Sequence, residues 1–406
     1  MTMRLPDQAW LTASATRAVM AALEAAGGPG CARYVGGCVR NALIGTPVAD
    51  VDIATRLRPE ETDRAIRAAG LKAVPTGMAH GTVTAVSERI PFEITTLRHD
   101  VSTDGRNATV AFTDDWAEDA ARRDFRLNAL YADASGQVFD PTGAGVDDAL
   151  AGRIVFVGDP ETRIREDYLR ILRFFRFQAW YGRGEPDPAA LAACRALASG
   201  MTRLSAERVS SELMKLLAAP DPRPAMVAMD QAGVLDQVLP VARLSPAFEA
   251  AVTQGTDPVA RLMLLVPSDE SAIREVAVQL RLSNGVRDRL VGAVRAGPAV
   301  SLSMTARAAR AALYRHGSEA VVDAVRRRWA EAPARGDDAR RLLALAGRWR
   351  RPRLPVGGRD LARLGVKPGP ETGRLLQSFE AGWIADDFPE EGHIERLQAL
   401  VSPPPG

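Results

Sequence analysis

Short runs of β-branched and aromatic residues crowd the first third of the chain and then stop, and that change of pattern sets the architecture. Tyr34–Val35, Val51–Ile53, Thr82–Val86, Phe92–Thr96, Val110–Phe112, Val138–Phe139 and Ile154–Val157 are strand-sized, and helical stretches such as Pro59–Ala69 lie between them. Such interleaving predicts a mixed sheet with helices packed on it. Before it, Trp10, Leu11, Val19, Met20 and Leu23 recur at helical spacing, and Gly27, Gly28 and Gly30 close the segment, so a helix is predicted within residues 1–30. Arg98–Ala108 is polar, with Asp100, Ser102, Asp104, Gly105 and Asn107, and predicts a long mobile loop between two strands. From about residue 160 onward the sequence is Ala/Leu/Arg-rich and helical, with breaks near Gly182–Asp187, Ala219–Pro224, Pro240–Pro246 and Pro352–Gly358. The expected class is α+β: a mixed-sheet head over 1–155, a helical neck over 156–220, and a helical body and tail over 221–406.

Composition matters mainly for what it removes. Three cysteines (Cys31, Cys38, Cys194) form no CxxC, and four histidines are scattered, so a disulfide scaffold and a Cys- or His-built metal centre are not expected. Lys+Arg 52 against Asp+Glu 50 leaves +2, so nucleic-acid contact has to come from local patches. No apolar run reaches the ~18 residues of a membrane span, and MTMRLPDQAW lacks a basic-then-apolar leader, so a soluble, cytoplasmic protein is expected.

Four segments carry chemistry. Gly36-Gly37-Cys38-Val39-Arg40 is followed by Asp50-Val51-Asp52. Residues two apart on a strand share a face, so Asp50 and Asp52 present paired carboxylates, which repel unless a cation lies between them. Oxygen ligands with open positions suit Mg²⁺ bound together with phosphate oxygens. The Gly36-Gly37 turn lets backbone N–H groups approach a phosphate, and Arg40 adds a positive charge. A chance carboxylate pair and a plain turn would read the same, each taken singly. Glu93, between apolar neighbours, either aligns with the two aspartates or faces solvent. Arg122-Arg123-Asp124 opens an apolar run and suits phosphate and ribose oxygens, or a salt-bridged helix start. In the segment Arg163–Phe177, Asp167, Arg170, Arg173 and Arg176 step by three among large apolar residues, which predicts a half-buried charged row along one helix. One Asp cannot neutralise three Arg, so the row is expected to face an anionic or polar ligand.

GGCVRN…DVDIAT, EITTLR, RRDFRLNAL and RIREDYLRILRFFRF occur in that order, and in this order and spacing they resemble the class II CCA-adding tRNA nucleotidyltransferases and their sister bacterial poly(A) polymerases. DVSTDGRNATVAF and Ser205–Leu213 also look like family segments. The resemblance covers roughly residues 30–220 and returns at 358–376. It implies a polymerase-β-like head in which Asp50 and Asp52 hold Mg²⁺, with Glu93 as a further catalytic acid and metal ligand. It places Gly36, Gly37 and Arg40 at the triphosphate, and Arg123 and Asp124 near sugar and phosphate. Asp167, Arg170, Arg173 and Arg176 follow in the neck, where Asp167 and Arg170 would read the base. The implied reaction is addition of C, C and A to a tRNA 3′ end from CTP and ATP, with pyrophosphate released, no template, no membrane and no obligate protein partner. A poly(A) or A-only enzyme of the same class is the nearest alternative, and a catalytically silent RNA-binding protein a more distant one. A dinucleotide-binding dehydrogenase is weaker, because the Gly-Gly segment is not GxGxxG. Asn41 stands where the family usually carries Asp, and Arg126-Leu127-Asn128 replaces the commoner Thr-Ile-Asn. The arginines of 326–353, set beside Trp329 and Trp349, and the Gly365–Gly369 turn are candidate RNA contacts or solvated helix surface.

Overall fold

A computed structural model describes residues 3–104 and 107–402 and, within 100–110, the backbone alone. The described chain divides into two compact units, Met1–Pro240 and Val241–Gly406. The boundary falls inside the stretch 221–406 expected as body and tail.

The first unit is built on a seven-stranded sheet. Its strands are β1 (Ala32–Val35), β2 (Asp52–Thr55), β3 (Lys72–Gly77), β4 (Thr82–Ser87) and β5 (Ile90–Thr96), joined later in the chain by two short strands. Between them runs a separate antiparallel ribbon, β6 (Arg98–Asp104) and β7 (Asn107–Phe112). The short pair is β8 (Tyr131–Ala132) and β9 (Val138–Phe139), and the sheet order is β3-β4-β5-β2-β1-β8-β9. β2 and β5 are parallel, and every other neighbouring pair is antiparallel.

One face of the sheet is closed by helices Ser14–Gly27 and Pro59–Ala68. The first lays Val19, Met20 and Leu23, each at most 1% exposed, into the core; the second contributes Ile66. Burial of such side chains contributes ~1.5–3 kcal/mol each. Pro59 at the first turn and the Glu61 carboxylate, accepting the Arg58 N–H at 2.8 Å, start the second helix. The unit continues in helices, including Pro160–Glu166, Leu169–Tyr181, Pro188–Leu197, Ala206–Leu217 and Arg223–Gln231. The second unit is helical from Pro246–Thr253 to His393–Val401, with one core around Leu313, Val321, Val325 and Leu342 and another around Leu361, Phe379, Trp383 and Leu397.

The structure thus has the α+β layout expected, with four local differences. The predicted N-terminal helix is split at Ala13, whose ψ of 140 separates Ala9–Thr12 from Ser14–Gly27. Ile154–Val157 is not a strand: Phe156 makes one isolated bridge to Phe125 and packs against its ring at 4.9 Å, so its apolar character serves the core. β3, unforeseen, is an edge strand with one buried residue, Ala73, and tolerates Pro75 where the register shifts. The expected mobile loop at 98–108 is the β6–β7 ribbon, with residues 105–106 outside the described set. Its polar residues Asp100, Ser102, Asp104 and Asn107 give it the composition of a loop.

Candidate active site

The parallel pairing sets Asp52 of β2 directly opposite Glu93 of β5, so both side chains stand on one face of the sheet. Asp50 lies two residues earlier, just before β2, and all three carboxylates are solvent-accessible. Among the described residues none of the three has an ion pair or a side-chain hydrogen bond. The surrounding protein desolvates Asp52, and then the charges of Glu93 and Asp50 add to the effect, pushing its carboxyl up to about 6 against the weaker pull of Arg123. Asp50, Asp52 and Glu93 are thus brought together as the sequence predicts. Among the described residues no three acidic, His or Cys side chains already form a closed metal cage.

The Gly-Gly turn lies beside this cluster, because Cys38 Sγ reaches the Asp52 carbonyl at 3.8 Å. Gly36 caps helix Gly37–Ile44 with φ 72, a conformation a β-carbon opposes, and a β-carbon there would stand 3.6 Å from an Arg123 Nη1. The Gly36 N–H is taken by the Leu130 carbonyl at 3.0 Å. That leaves the first-turn amides of the helix, beginning at Gly37, as anion donors next to the carboxylates.

Arg123 donates to Asp119 Oδ2 at 3.0 Å and to the Tyr131 hydroxyl at 3.2 Å, and Tyr131 donates to the same carboxylate at 2.7 Å. Burial opposes the Asp119 charge, but Arg123 and Arg122 outweigh it and hold the carboxyl down to about 2. Arg123 is therefore a fixed cation whose charge reaches Asp52.

Arg40 sits differently from a free phosphate ligand. It is 5% exposed, donates to the Asn128 and Asn41 side-chain oxygens (the latter at 2.8 Å through Nη2) and lies 3.9 Å over the Tyr181 ring. Asn41 also donates to the Pro47 carbonyl at 2.9 Å, so this departure from the family pattern has a structural use. Asp124 is likewise engaged: Arg173 donates to Oδ2 at 2.8 Å through Nε, while Oδ1 accepts from Asn128 and the Phe125 N–H. Burial works against its charge, and Arg173 with these donors pulls its carboxyl far below the ordinary range.

The charged row of the neck differs most from expectation. Its helix is broken at Asp167, which is extended (φ −154, ψ 107) between Pro160–Glu166 and Leu169–Tyr181. The Asp side chain competes for nearby backbone: Oδ1 accepts the Leu169 N–H at 3.1 Å. Oδ2 accepts from Arg208 at 2.7 Å, out of helix Ala206–Leu217. Nor are the three arginines left unneutralised. Arg170 pairs with Glu166 and donates to the Arg163 carbonyl at 2.8 Å, Arg173 pairs with Asp124, and Arg176 donates to the buried Glu212 at 2.6 Å. The acids come from distant chain segments, 49 and 36 residues away for the last two, which spacing along one helix cannot reveal. Arg163 ties the neck to the head through the Arg122 and Arg123 carbonyls, the latter at 3.0 Å.

Sequence reasoning missed Asp119, Tyr131, Asn128, Glu166, Arg208 and Glu212 as supports. Arg208 and Glu212 lie in the Ser205–Leu213 segment and Asn128 in the RRDF run, which were singled out only as wholes. Arg126, the other departure, pairs with the fully buried Asp148 at 2.7 Å. In the second unit, several candidate RNA-contact arginines already have partners: Arg326 with Asp257 and Asp323, Arg327 and Arg328 with Glu331, Arg340 with Asp337, and Arg341 with Asp338.

Comparison with known proteins finds relatives along most of the chain. Residues 32–155 match the Poly A polymerase head domain family, and residues 185–244 match the family described as the probable RNA and SrmB-binding site of polymerase A. The mitochondrial CCA tRNA nucleotidyltransferase 1 of Danio rerio is 32% identical over 371 residues, 86% of this chain and 83% of that protein. The CCA-adding enzyme of Limosilactobacillus fermentum is 30% identical over 92% of this chain and 94% of its own length. The Bacillus stearothermophilus CCA-adding enzyme, solved with CTP, superposes with a TM-score of 0.77 at 24% identity, covering 96% of this chain and 97% of that one, which shows a shared fold.

Proposed function

The chain belongs to the family of CCA tRNA nucleotidyltransferases, and we propose from that premise how its own residues carry the family reaction. It is a nucleotidyltransferase that adds C, C and A to the tRNA 3′ end: the terminal hydroxyl attacks the α-phosphate of CTP or ATP and pyrophosphate leaves. The observation that supports the site assignment is the contrast in charge pairing. Asp119, Asp124, Asp167 and Glu212 each have an arginine, whereas Asp50, Asp52 and Glu93 stand together without one.

Unpaired acids gathered so closely that burial and the charges of Glu93 and Asp50 raise the pKa of Asp52 fit a divalent cation, and two or three oxygens with open positions fit Mg²⁺. Asp50 and Asp52 would hold the ion, with Glu93 as the third acid. Bound there, it would supply Lewis acidity, easing deprotonation of the attacking hydroxyl and offsetting charge on the departing pyrophosphate. The chain's own groups do the rest. Amides of the Gly37 turn and the fixed Arg123 cation orient the triphosphate beside the carboxylates. Arg40 and Asp124, being buried, act from behind: Arg40 fixes the helix of that turn through Asn128, and Asp124 locks Arg173 of the neck to the head.

Base choice follows from Asp167 and Arg170. Cytosine and adenine both show an exocyclic amine beside an unprotonated ring nitrogen, which an Asp acceptor and an Arg donor match; uracil and guanine show the reverse order. Asp167 is oriented by Arg208 and Arg170 by Glu166, so both hydrogen-bonding edges are pre-set without a template. The helices after 155 serve base reading up to about residue 220 and RNA binding beyond it. We place the reaction in the cytoplasm, a reading supported by three buried free cysteines; no helix among the described residues is long and apolar enough to cross a membrane. Purified protein, given tRNA without its 3′ end and each labelled NTP with Mg²⁺, is expected to add C, C, then A and stop; a long A tail supports the poly(A) alternative.

A further inference from the structure

The sheet face that carries Asp52 and Glu93 continues beyond them. Glu93 is opposite Thr84, and Thr95 is opposite Thr82, so these threonines share the carboxylate face. The Thr95 and Thr82 hydroxyls are 3.2 Å apart, and that of Thr84 is 2.8 Å from Thr76 of the edge strand β3. Lys72, opposite Val86, lies on the same side and is exposed. Alternate residues of these strands (Val83, Ala85, Phe92, Ile94) fill the core beneath the helices, while the threonines stay half-buried or exposed.

The strand order gives this face its meaning. β1, which ends in the Gly36-Gly37 turn, flanks β2 on one side; β5, β4 and β3 flank it on the other. The carboxylates therefore stand between a phosphate-binding turn and a row of hydroxyls. The first side accounts for the nucleoside triphosphate. The reacting RNA hydroxyl has to reach the same carboxylates, and the second side lies open to it. From Asp52 to β3 is three strand spacings, ~14 Å, room for the last few nucleotides. Threonine hydroxyls both donate and accept, which suits ribose 2′-hydroxyls and phosphate oxygens and reads no base. Neutral, shallow contacts also suit a strand that shifts by one nucleotide after each addition.

We propose that Thr82, Thr84, Thr95 and Thr76, with Lys72 at the edge, form the track on which the terminal nucleotides of the RNA acceptor lie. The proposal rests on Asp50 and Asp52 being the catalytic acids.

The test compares wild-type protein with Thr82→Val, Thr84→Val and the double variant, which keep β-branching and shape. Steady-state addition of C to tRNA lacking its 3′ end is measured, with an all-ribose or a 2′-deoxy terminal nucleotide. The double variant is expected to raise KM for tRNA about tenfold, as two hydrogen bonds are lost, with KM for CTP unchanged. The 2′-deoxy substitution is expected to weaken wild-type turnover and to add little in the variant. An unchanged tRNA KM, a raised CTP KM, or a full 2′-deoxy penalty in the variant overturns the track. A second measurement needs no variant: tRNA with 4-thiouridine at its 3′ end is expected to crosslink to the β4 peptide, and crosslinking only elsewhere counts against the proposal. Failure of the wild type to add C at all overturns the catalytic reading itself, a result distinct from an active wild type with unaffected variants.

Discussion

Removing Arg208 tests whether base choice depends on a positioned Asp167. The guanidinium reaches Asp167 Oδ2 at 2.7 Å, with the two side chains 27% and 20% exposed. A hydrogen bond to a charged group contributes about 1.5–3 kcal/mol, and partial exposure puts this one at the low end. The Leu169 N–H then holds Asp167 alone through Oδ1, and the acceptor proposed to meet the base amine loses its fixed direction. Arg208→Ala is therefore expected to relax discrimination of CTP over UTP and of ATP over GTP by about tenfold, the equivalent of ~1.4 kcal/mol. The assay is kcat/KM for each NTP in single-nucleotide addition, with tRNA of the matching length. Asp167→Ala should relax selection at least as far while leaving triphosphate binding near wild type. Arg208→Lys, which keeps the charge without the planar fork, should fall between. Selectivity unchanged in Arg208→Ala refutes the positioning role, and unchanged discrimination in Asp167→Ala refutes the base-reading assignment.

Three further outcomes follow from the same geometry. Asp52 has its folded pKa raised from the ordinary carboxyl value of 3.8 to about 6, so the folded state holds its proton more tightly than the unfolded one. Stability of the metal-free protein should accordingly fall as pH rises from about 4 to 6, and Asp52→Asn should raise the metal-free Tm at neutral pH while abolishing turnover; a lowered Tm contradicts the crowding. Arg40→Ala, which leaves the Asn128 and Asn41 acceptors bare beneath Tyr181, should cost about 3 kcal/mol in urea unfolding, and a loss under about 1 kcal/mol contradicts its buried role. Asn41→Asp gives Arg40 a charged acceptor but sets its second oxygen against the Pro47 carbonyl that Asn41 now donates to, so the two effects should offset to within ~1 kcal/mol with activity within about twofold, checked by thermal melt and C addition.

How far the sequence could be read depended on how local each interaction is. The spacing of Asp50 and Asp52, the Gly-Gly turn and the alternation around Glu93 are short-range patterns, and parallel pairing of β2 with β5 brings them together as those patterns suggest. The class of fold was equally legible, because the strand-sized runs end near residue 155. Partnerships across the chain were not. Arg173 with Asp124, Arg176 with Glu212 and Arg208 with Asp167 join residues 49, 36 and 41 positions apart, so the arginine row looked unbalanced in one dimension and is neutralised in three. The break at Asp167 was hidden for a related reason: its side chain replaces a helical bond with its own to Leu169. Arg40 was read as a ligand from its place near the turn, but its orientation is set by Asn128 and Tyr181, residues that carried no signal beside it.

Catalysis by the two acids at the start of β2, Asp50 and Asp52, is what the mechanism rests on. Single-turnover addition of labelled CMP to tRNA lacking its 3′ end, with wild-type, Asp50→Asn and Asp52→Asn proteins in Mg²⁺, measures that alone. Loss of several kcal/mol of transition-state stabilisation predicts a fall of roughly a thousandfold or more for either amide, with CTP binding within a few-fold of wild type. Turnover within tenfold of wild type in either variant contradicts the assignment.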